Sequence, residues 1–234
     1  MLGLIEDWKQ AVDSKQLVYV LSTDMSKVFD CLSHPLTIKK LEAYGFGSGS
    51  LDLMRSFFEN RRSRVKLGEI TSIWKPMKRE CPQGLPLLWN MFQNDLPLNV
   101  ENGNITMYAD DHQLHVKETN HEIVGQQLKT SSKQALIWYS NNLKSFNPEK
   151  FQFLNINPRK IDGDTSDAVL SHNKLLGVHI DDDLDLKKHI SDLCNNTNQK
   201  VGILSCLRHL IPSKAKLLLY ETFVLPNLTY CHLI

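Results

Sequence analysis

Tyr108-Ala109-Asp110-Asp111 contains an acidic pair set between two short apolar runs, Ile105–Tyr108 and Leu114–Val116. Side chains alternate between the two faces of a strand, so strand-like runs around an acidic tip predict a β-hairpin with carboxylates at its turn. Adjacent carboxylates repel each other unless a cation neutralises them, and Mg²⁺ prefers such oxygen ligands. An ordinary acidic turn is the alternative interpretation, because Asp is common in turns.

A second acidic position follows an apolar run. The residues Leu17–Thr23 precede Asp24, and their β-branched and aromatic content is typical of a buried strand. Asp24 would then stand at the carboxyl end of a strand, where α/β proteins commonly place active-site groups. If this strand lies beside the hairpin, three carboxylates can hold two Mg²⁺ ions about 4 Å apart, the arrangement that polymerases and nucleases use.

The nine residues Asp-Met-Ser-Lys-Val-Phe-Asp-Cys-Leu at 24–32 resemble the D-x-S-K-A-F-D-x-L signature of reverse transcriptases from non-LTR (LINE-type) retrotransposons. Further motifs follow in the order of that family and at about its spacing. They are His34–Leu36, Lys40–Phe46, Pro82–Gly84, Tyr108–Asp111, Asn147–Gln152 and Leu175–Val178.

The resemblance implies an α+β fold. We expect a polymerase palm, in which an antiparallel sheet has helices packed on one face, followed by a helical thumb-like region. The palm would comprise residues 1–182, with a partial fingers insertion at about 34–80, and an incomplete thumb would comprise 183–234. Relatives begin upstream and continue further, so the resemblance also predicts a domain truncated at both ends.

The resemblance further implies template-directed addition of deoxynucleotides to a primer 3′-OH. The expected partners are an RNA template, a DNA primer and deoxynucleoside triphosphates, and the expected cofactors are two Mg²⁺ ions, with Mn²⁺ as a possible substitute. Asp24, Asp110 and Asp111 would be the catalytic metal ligands. No membrane is expected as a partner, and the sequence does not indicate an obligate protein partner.

Four other positions match nucleotide-binding residues of the family. Phe29 would lie under the incoming sugar and disfavour a ribose 2′-OH, although a core aromatic is the alternative. Gln83 and Gly84 match the loop that contacts template and nucleotide, where Gly permits close backbone approach. Lys150 matches a lysine proposed to neutralise the leaving pyrophosphate, and a solvated lysine is an equally good interpretation.

One motif departs from the family pattern. Family members usually read G-V-P-Q-G-S-x-L-G-P-L-L-F-N, whereas residues 80–90 here read Glu-Cys-Pro-Gln-Gly-Leu-Pro-Leu-Leu-Trp-Asn. The loop after Gly84 is therefore three residues shorter, and Glu80 replaces a glycine. These changes keep open the alternative of a catalytically inactive remnant that at most binds nucleic acid or a partner.

The net charge is only +1, so nucleic-acid binding must depend on local clusters. One such cluster contains Arg61, Arg62, Arg64 and Lys66. Alternation predicts that Arg62, Arg64 and Lys66 lie on one face of a strand, where they would contact duplex phosphates. A solvated edge strand is the alternative interpretation.

The remaining composition is ordinary for a globular protein. The five cysteines form no pair with metal spacing, so we expect reduced thiols and an intracellular protein, in the nucleus or the cytoplasm. No apolar run reaches the roughly 20 residues of a membrane span. His112 and His115 follow the acidic pair, and we expect surface histidines at a strand end rather than metal ligands.

Local patterns also predict secondary structure. Ser33 and Gly45 are expected to bound a helix, and the T-x-x-E pattern at Thr119–Glu122 predicts a capping box. Leu175–Ile180 is expected to be one strand. The acidic run Asp181–Asp185 is interpreted as a solvated turn before a helix.

Overall fold

The chain forms two compact units. A computed structural model describes residues 1–24, 32–77, 79, 86–144, 151–157 and 172–231. Unit 1 comprises Met1–Val20, Lys117–Val124 and Gln152–Ile234, and unit 2 comprises Leu21–Val116 and Gly125–Phe151. The predicted division into a palm at 1–182 and a thumb at 183–234 does not coincide with the boundary between these two units, and it stays a prediction.

The described residues form eight α-helices and ten strands. The helices are α1 (Leu2–Asp13), α2 (His34–Ala43), α3 (Ser48–Phe58), α4 (Pro86–Gln93), α5 (His121–Asn141), α6 (Lys187–Cys206), α7 (Ser213–Leu219) and α8 (Leu225–Thr229). The strands are β1 (Leu17–Asp24), β2 (Arg62–Ser63), β3 (Lys66–Leu67), β4 (Ile70–Thr71), β5 (Lys75–Pro76), β6 (Asn104–Tyr108), β7 (Asp111–Glu118), β8 (Gln152–Ile156), β9 (His172–Leu175) and β10 (Val178–Asp181). None of these helices is long and apolar enough to cross a membrane.

The main sheet has four strands in the order β6-β7-β1-β8. Strands β6 and β7 are antiparallel, as the sequence predicts for the runs on either side of the acidic tip. Strand β7 is internal to the sheet, and its residues from His112 to Val116 are all buried. An internal strand covered on both faces has no solvent-facing side. The expectation that His112 and His115 lie on the surface is therefore wrong.

The core of unit 1 combines residues from widely separated parts of the chain. Helix α1 presents one apolar face, and strands β1, β8 and β10 contribute alternate residues to the same cluster. Full burial of each large side chain contributes at most about 1.5–3 kcal/mol. The cluster consists of Leu4, Ile5, Trp8, Ala11, Val18, Val20, Leu154, Ile156, Leu175, Val178, Ile180 and Leu184.

Unit 2 has an aromatic core against which the side chain of Lys40 is partly buried. The ring of Phe92 packs against the rings of Trp89 and Trp138, with centroid distances of 6.0 and 6.4 Å. The ammonium of Lys40 lies 4.6 Å from the Phe92 centroid and donates to Asp95 at 2.6 Å. Burial of Lys40 lowers its pKa, which the pairing with Asp95 opposes. The Asp95 carboxylate, the Phe92 carbonyl oxygen and the two aromatic rings compensate for the partial loss of water around the ammonium.

Some local predictions are confirmed and others are wrong. Helix α2 follows Ser33 and ends before Gly45, whose φ of +86° suits a glycine at a helix end. The stretch Leu175–Ile180 is not one strand, because Leu176 and Gly177 both have positive φ and form a two-residue turn between β9 and β10. The cap of α5 is Asn120, whose Oδ1 accepts from the Glu122 amide at 2.8 Å, rather than the predicted Thr119.

Candidate active site

The tip of the β6–β7 hairpin carries the acidic pair. Tyr108 is paired with Asp111, so the turn consists of Ala109 and Asp110. Ala109 has a φ of +53°, and a positive φ at the first central residue is the pattern of a type II′ turn, where glycine is usual. An alanine in this left-handed region costs about 1–2 kcal/mol. The turn is therefore strained, and neighbouring contacts must hold it.

Trp89 on α4 makes one such contact. Its indole Nε1–H donates a hydrogen bond of 2.7 Å to the carbonyl oxygen of Ala109. The indole itself is buried, and the ammonium of Lys144 lies 4.6 Å from the centroid of its ring. The bond therefore attaches the turn to a fixed side chain of the core. The family pattern has Phe at this position, and Phe has no donor.

A buried polar network lies directly behind the turn. His112 is 1% exposed, with its Nδ1 2.9 Å from the hydroxyl of Tyr139 and its Nε2 3.0 Å from Oε1 of Gln93. Because an amide oxygen only accepts, Nε2–H donates to Gln93 and Nδ1 accepts the tyrosine proton. Burial lowers the pKa of His112 to about 4 and raises the pKa of Tyr139 to about 12, so both are neutral near pH 7.

Thr23 connects this network to strand β1. Its Oγ1 lies 3.5 Å from the carbonyl oxygen of His112 and 3.5 Å from the Tyr139 hydroxyl. Thr23 precedes Asp24, and His112 follows Asp111, so the carboxyl end of β1 lies beside the start of β7. The backbone therefore brings the three predicted aspartates to one end of the sheet.

The donor types at this end suit a divalent metal. Asp110 and Asp111 are half-buried, and carboxylate oxygens are the ligands that Mg²⁺ prefers. Asp24 is described only as the last residue of β1, and its side chain lies outside the described part of the chain. Among the side chains that are described, no three histidine, cysteine, aspartate or glutamate groups meet as a metal site. Assignment of the three aspartates as ligands stays a prediction.

The predicted nucleotide-binding residues cannot be placed. Phe29, Gln83, Gly84 and Lys150 all lie outside the described residues.

The predicted basic strand is not a single strand. Strand β2 pairs with β5, and β3 pairs with β4, so the regular pairing is interrupted between Ser63 and Lys66. Arg62, Arg64 and Lys66 are exposed, but they do not alternate along one continuous strand face. Two guanidinium groups instead lie over aromatic rings, Arg61 at 4.8 Å from the Phe57 centroid and Arg64 at 4.6 Å from the Trp74 centroid.

Sequence reasoning missed Trp89, which bonds the turn, and the polar network around His112. Gln93, His112 and Tyr139 form hydrogen bonds that no local pattern indicates, because they join α4, β7 and α5. The replacement of the family's Phe by Trp89 is a signal that could have been used, since indole adds one donor.

Comparison with known proteins agrees with this architecture. Residues 2–182 match the family described as "Reverse transcriptase (RNA-dependent DNA polymerase)". A curated relative, the probable RNA-directed DNA polymerase from transposon BS of Drosophila melanogaster, is 24% identical over 242 aligned residues, which cover 94% of this chain and 27% of the relative. The chain thus spans about a quarter of that relative's length.

Two solved structures have a similar fold. Apo telomerase from Candida tropicalis, truncated from its C-terminal domain, superposes with a TM-score of 0.58 at 13% identity, covering 79% of this chain and 38% of that one. Telomerase of the same species in complex with a fragment of telomeric RNA gives a TM-score of 0.54 at 15% identity, covering 84% and 36%. These similarities show the fold, an α+β polymerase palm with an antiparallel sheet.

Proposed function

Because the chain belongs to the reverse transcriptase family, we propose that it is an RNA-templated DNA polymerase domain derived from a non-LTR (LINE-type) retrotransposon. The observation that carries the proposal is the meeting of the β1 end with the acidic hairpin tip, through Thr23 and His112. The transposon origin of the Drosophila relative supports the retrotransposon assignment, and the motifs at 24–32 and 108–111 support the non-LTR subtype.

Asp24, Asp110 and Asp111 would hold two Mg²⁺ ions. The chemistry supplied by ions bound there would be to make the primer 3′-OH more acidic and to stabilise the charge on the leaving pyrophosphate. The protein's own contribution is to hold the carboxylates in place. Asp110 stands in a turn attached to Trp89, and Asp111 is the first residue of an internal strand.

The proposed substrates are deoxynucleoside triphosphates, with an RNA template and a DNA primer as partners. Phe29 would select against a ribose 2′-OH, Gln83 and Gly84 would contact template and nucleotide, and Lys150 would neutralise the leaving pyrophosphate. These four roles are supported by motif position. Arg61, Arg62, Arg64 and Lys66 would contribute cations for nucleic-acid phosphates.

The second candidate is a catalytically inactive reverse-transcriptase remnant that at most binds nucleic acid or a partner. One observation favours it: the motif that should contact the nucleotide has Glu80 in place of a glycine and three residues fewer after Gly84. A carboxylate near a triphosphate is repulsive, and a shorter loop displaces the helix that follows by nearly a whole turn.

Primer extension by the full chain tests the proposal. Purified protein is incubated with a poly(rA) template, an oligo(dT) primer, dTTP and Mg²⁺, and product length is read on a gel. We expect extension by the wild type, none by Asp110→Asn, and normal extension by Asp52→Asn, which alters an exposed carboxylate on α3. Folded wild-type protein that binds the template–primer but does not extend it, in Mg²⁺ or Mn²⁺, would refute the first candidate and support the second.

A further inference from the structure

Residues 61–77 form a hairpin arm with an unusually apolar surface. The ladders β2–β5 and β3–β4 are continued by backbone bonds between Ser72 and Val65 and between Met77 and Arg61, both 2.9 Å. Gly68 has a φ of +58° in the two-residue turn at the tip. Five large hydrophobic side chains of the arm are exposed, each by more than half: Val65, Leu67, Ile70, Ile73 and Trp74. Exposed apolar side chains grouped in this way usually mark an interaction site.

The same arm is strongly basic. Between residues 61 and 77 the sequence has five basic residues and one acidic residue, a local charge of +4 in a chain whose total is +1. The basic residues are Arg61, Arg62, Arg64, Lys66 and Lys75, and the acidic one is Glu69. A concentrated positive charge on a short exposed element favours a polyanion over a neutral protein surface.

The position of Trp74 narrows the choice of polyanion. Its ring is 54% exposed, and the guanidinium carbon of Arg64 lies 4.6 Å from the ring centroid. A duplex presents phosphates on its outside and hides the faces of its bases. An unpaired strand offers both, and proteins that bind single strands combine cations for phosphates with aromatic rings on which bases stack. The aliphatic neighbours of Trp74 have no role against a duplex backbone, but they suit contact with base faces.

We propose that the hairpin arm binds unpaired nucleic acid, with a base stacked on Trp74 and phosphates contacted by the surrounding cations. This inference rests on the proposed function, because a polymerase domain would meet unpaired nucleic acid as the part of the template that has not yet been copied. This proposal replaces the expectation that Arg62, Arg64 and Lys66 contact duplex phosphates from one face of a single strand.

The tryptophans of the chain allow a direct test. Trp8, Trp89 and Trp138 are buried, and Trp74 is the exposed one of the four. Solvent-exposed tryptophan emission therefore comes from Trp74, and base stacking should quench it. The full chain is titrated without Mg²⁺ or nucleotide, using unlabelled single-stranded oligo(rA), the matching oligo(dA), and oligo(rA) annealed to oligo(dT). Both single strands are expected to quench the emission, and the duplex is not.

Affinities measured by fluorescence anisotropy of labelled oligonucleotides complete the test. We expect Trp74→Ala to weaken single-strand binding by about fivefold or more, since one stacked base is worth roughly 1–3 kcal/mol. Trp74→Phe, which keeps an aromatic ring, should retain most of the affinity. Tyr220→Ala removes an exposed aromatic ring from the C-terminal helical region and should change nothing. Circular dichroism confirms that each variant is folded.

Several results would overturn the inference. It is refuted if the folded chain does not bind single strands, or if Trp74→Ala weakens single-strand and duplex binding equally. It is also refuted if the variant loses self-association in sedimentation and keeps its nucleic-acid affinity, because the arm would then contact a second copy. Binding is repeated in Asp110→Asn, so loss of extension with intact quenching counts against the polymerase proposal alone. Active extension with unchanged single-strand affinity in Trp74→Ala counts against this inference alone.

Discussion

The bond between Trp89 and the acidic turn should have a measurable stabilising effect. Trp89→Phe keeps an aromatic ring in the core and removes the indole N–H that donates to Ala109 at 2.7 Å. Trp138→Phe is a matched control. Its indole is also buried, also packs on Phe92, and also lies under a lysine ammonium, that of Lys40 at 4.7 Å. The difference is that Nε1 of Trp138 has no hydrogen-bond partner among the described residues.

The two variants lose similar volume, so the difference between them isolates the hydrogen bond. A net hydrogen bond contributes about 0.5–1.5 kcal/mol, and a carbonyl left without its donor can cost about 1–3 kcal/mol. We therefore expect Trp89→Phe to lower the free energy of unfolding by about 1–2 kcal/mol more than Trp138→Phe.

Urea denaturation followed by far-UV circular dichroism measures both values, with equal slopes required for the comparison. In an active preparation, Trp89→Phe should also raise the Mg²⁺ concentration for half-maximal extension, because the turn that holds Asp110 is loosened. Equal destabilisation by the two variants, or a larger effect of Trp138→Phe, would refute the role assigned to the bond.

Two further predictions concern the same turn and the network behind it. Ala109→Gly should raise the free energy of unfolding by up to about 1 kcal/mol, because it relieves an alanine in the left-handed region. The control Ala135→Gly, inside α5, should lower the free energy of unfolding by about 1 kcal/mol. A loss of stability in Ala109→Gly would contradict the strain assigned to the turn. The folded pKa of His112, about 4, is below its unfolded value of 6.5, so its contribution is fully present above pH 6.5 and is lost as the pH falls towards 4. Between pH 7.5 and pH 5 the wild type should lose about 2 kcal/mol that His112→Gln does not lose, and parallel urea profiles for the two proteins would contradict this.

Short-range patterns predicted much of the fold. The hairpin at Tyr108–Asp111 followed from alternation around an acidic tip, and α2 followed from Ser33 and Gly45. Errors arose where a long-range partner decides the outcome. Nothing near His112 in the sequence shows that its strand is internal. The strand that pairs with β7 on its second edge is β1, which lies about ninety residues earlier in the chain.

The candidate site was predictable only in part. Motif order predicts Asp24, Asp110 and Asp111 as metal ligands, and this assignment stays a prediction. Trp89, which donates to the turn, comes from α4, and Tyr139, which bonds His112, comes from α5, so both distances depend on how those helices pack. The hairpin arm shows the same limit. The sequence showed the charges of Arg62 and Arg64, but it did not show the interrupted strand pairing or the contact of the Arg64 guanidinium with the Trp74 ring.

The core of unit 1 has a consequence for how the protein is made. Leu175, Val178, Ile180 and Leu184, which complete the cluster around helix α1, are synthesised more than 160 residues after that helix. At roughly 5–20 residues per second, the apolar face of α1 waits on the order of 10–30 s for its partners. Transiently exposed apolar surface of this kind is prone to aggregation, and closing such distant contacts slows folding. Yield in cells should therefore depend on chaperone supply and growth temperature more strongly than the final stability would indicate.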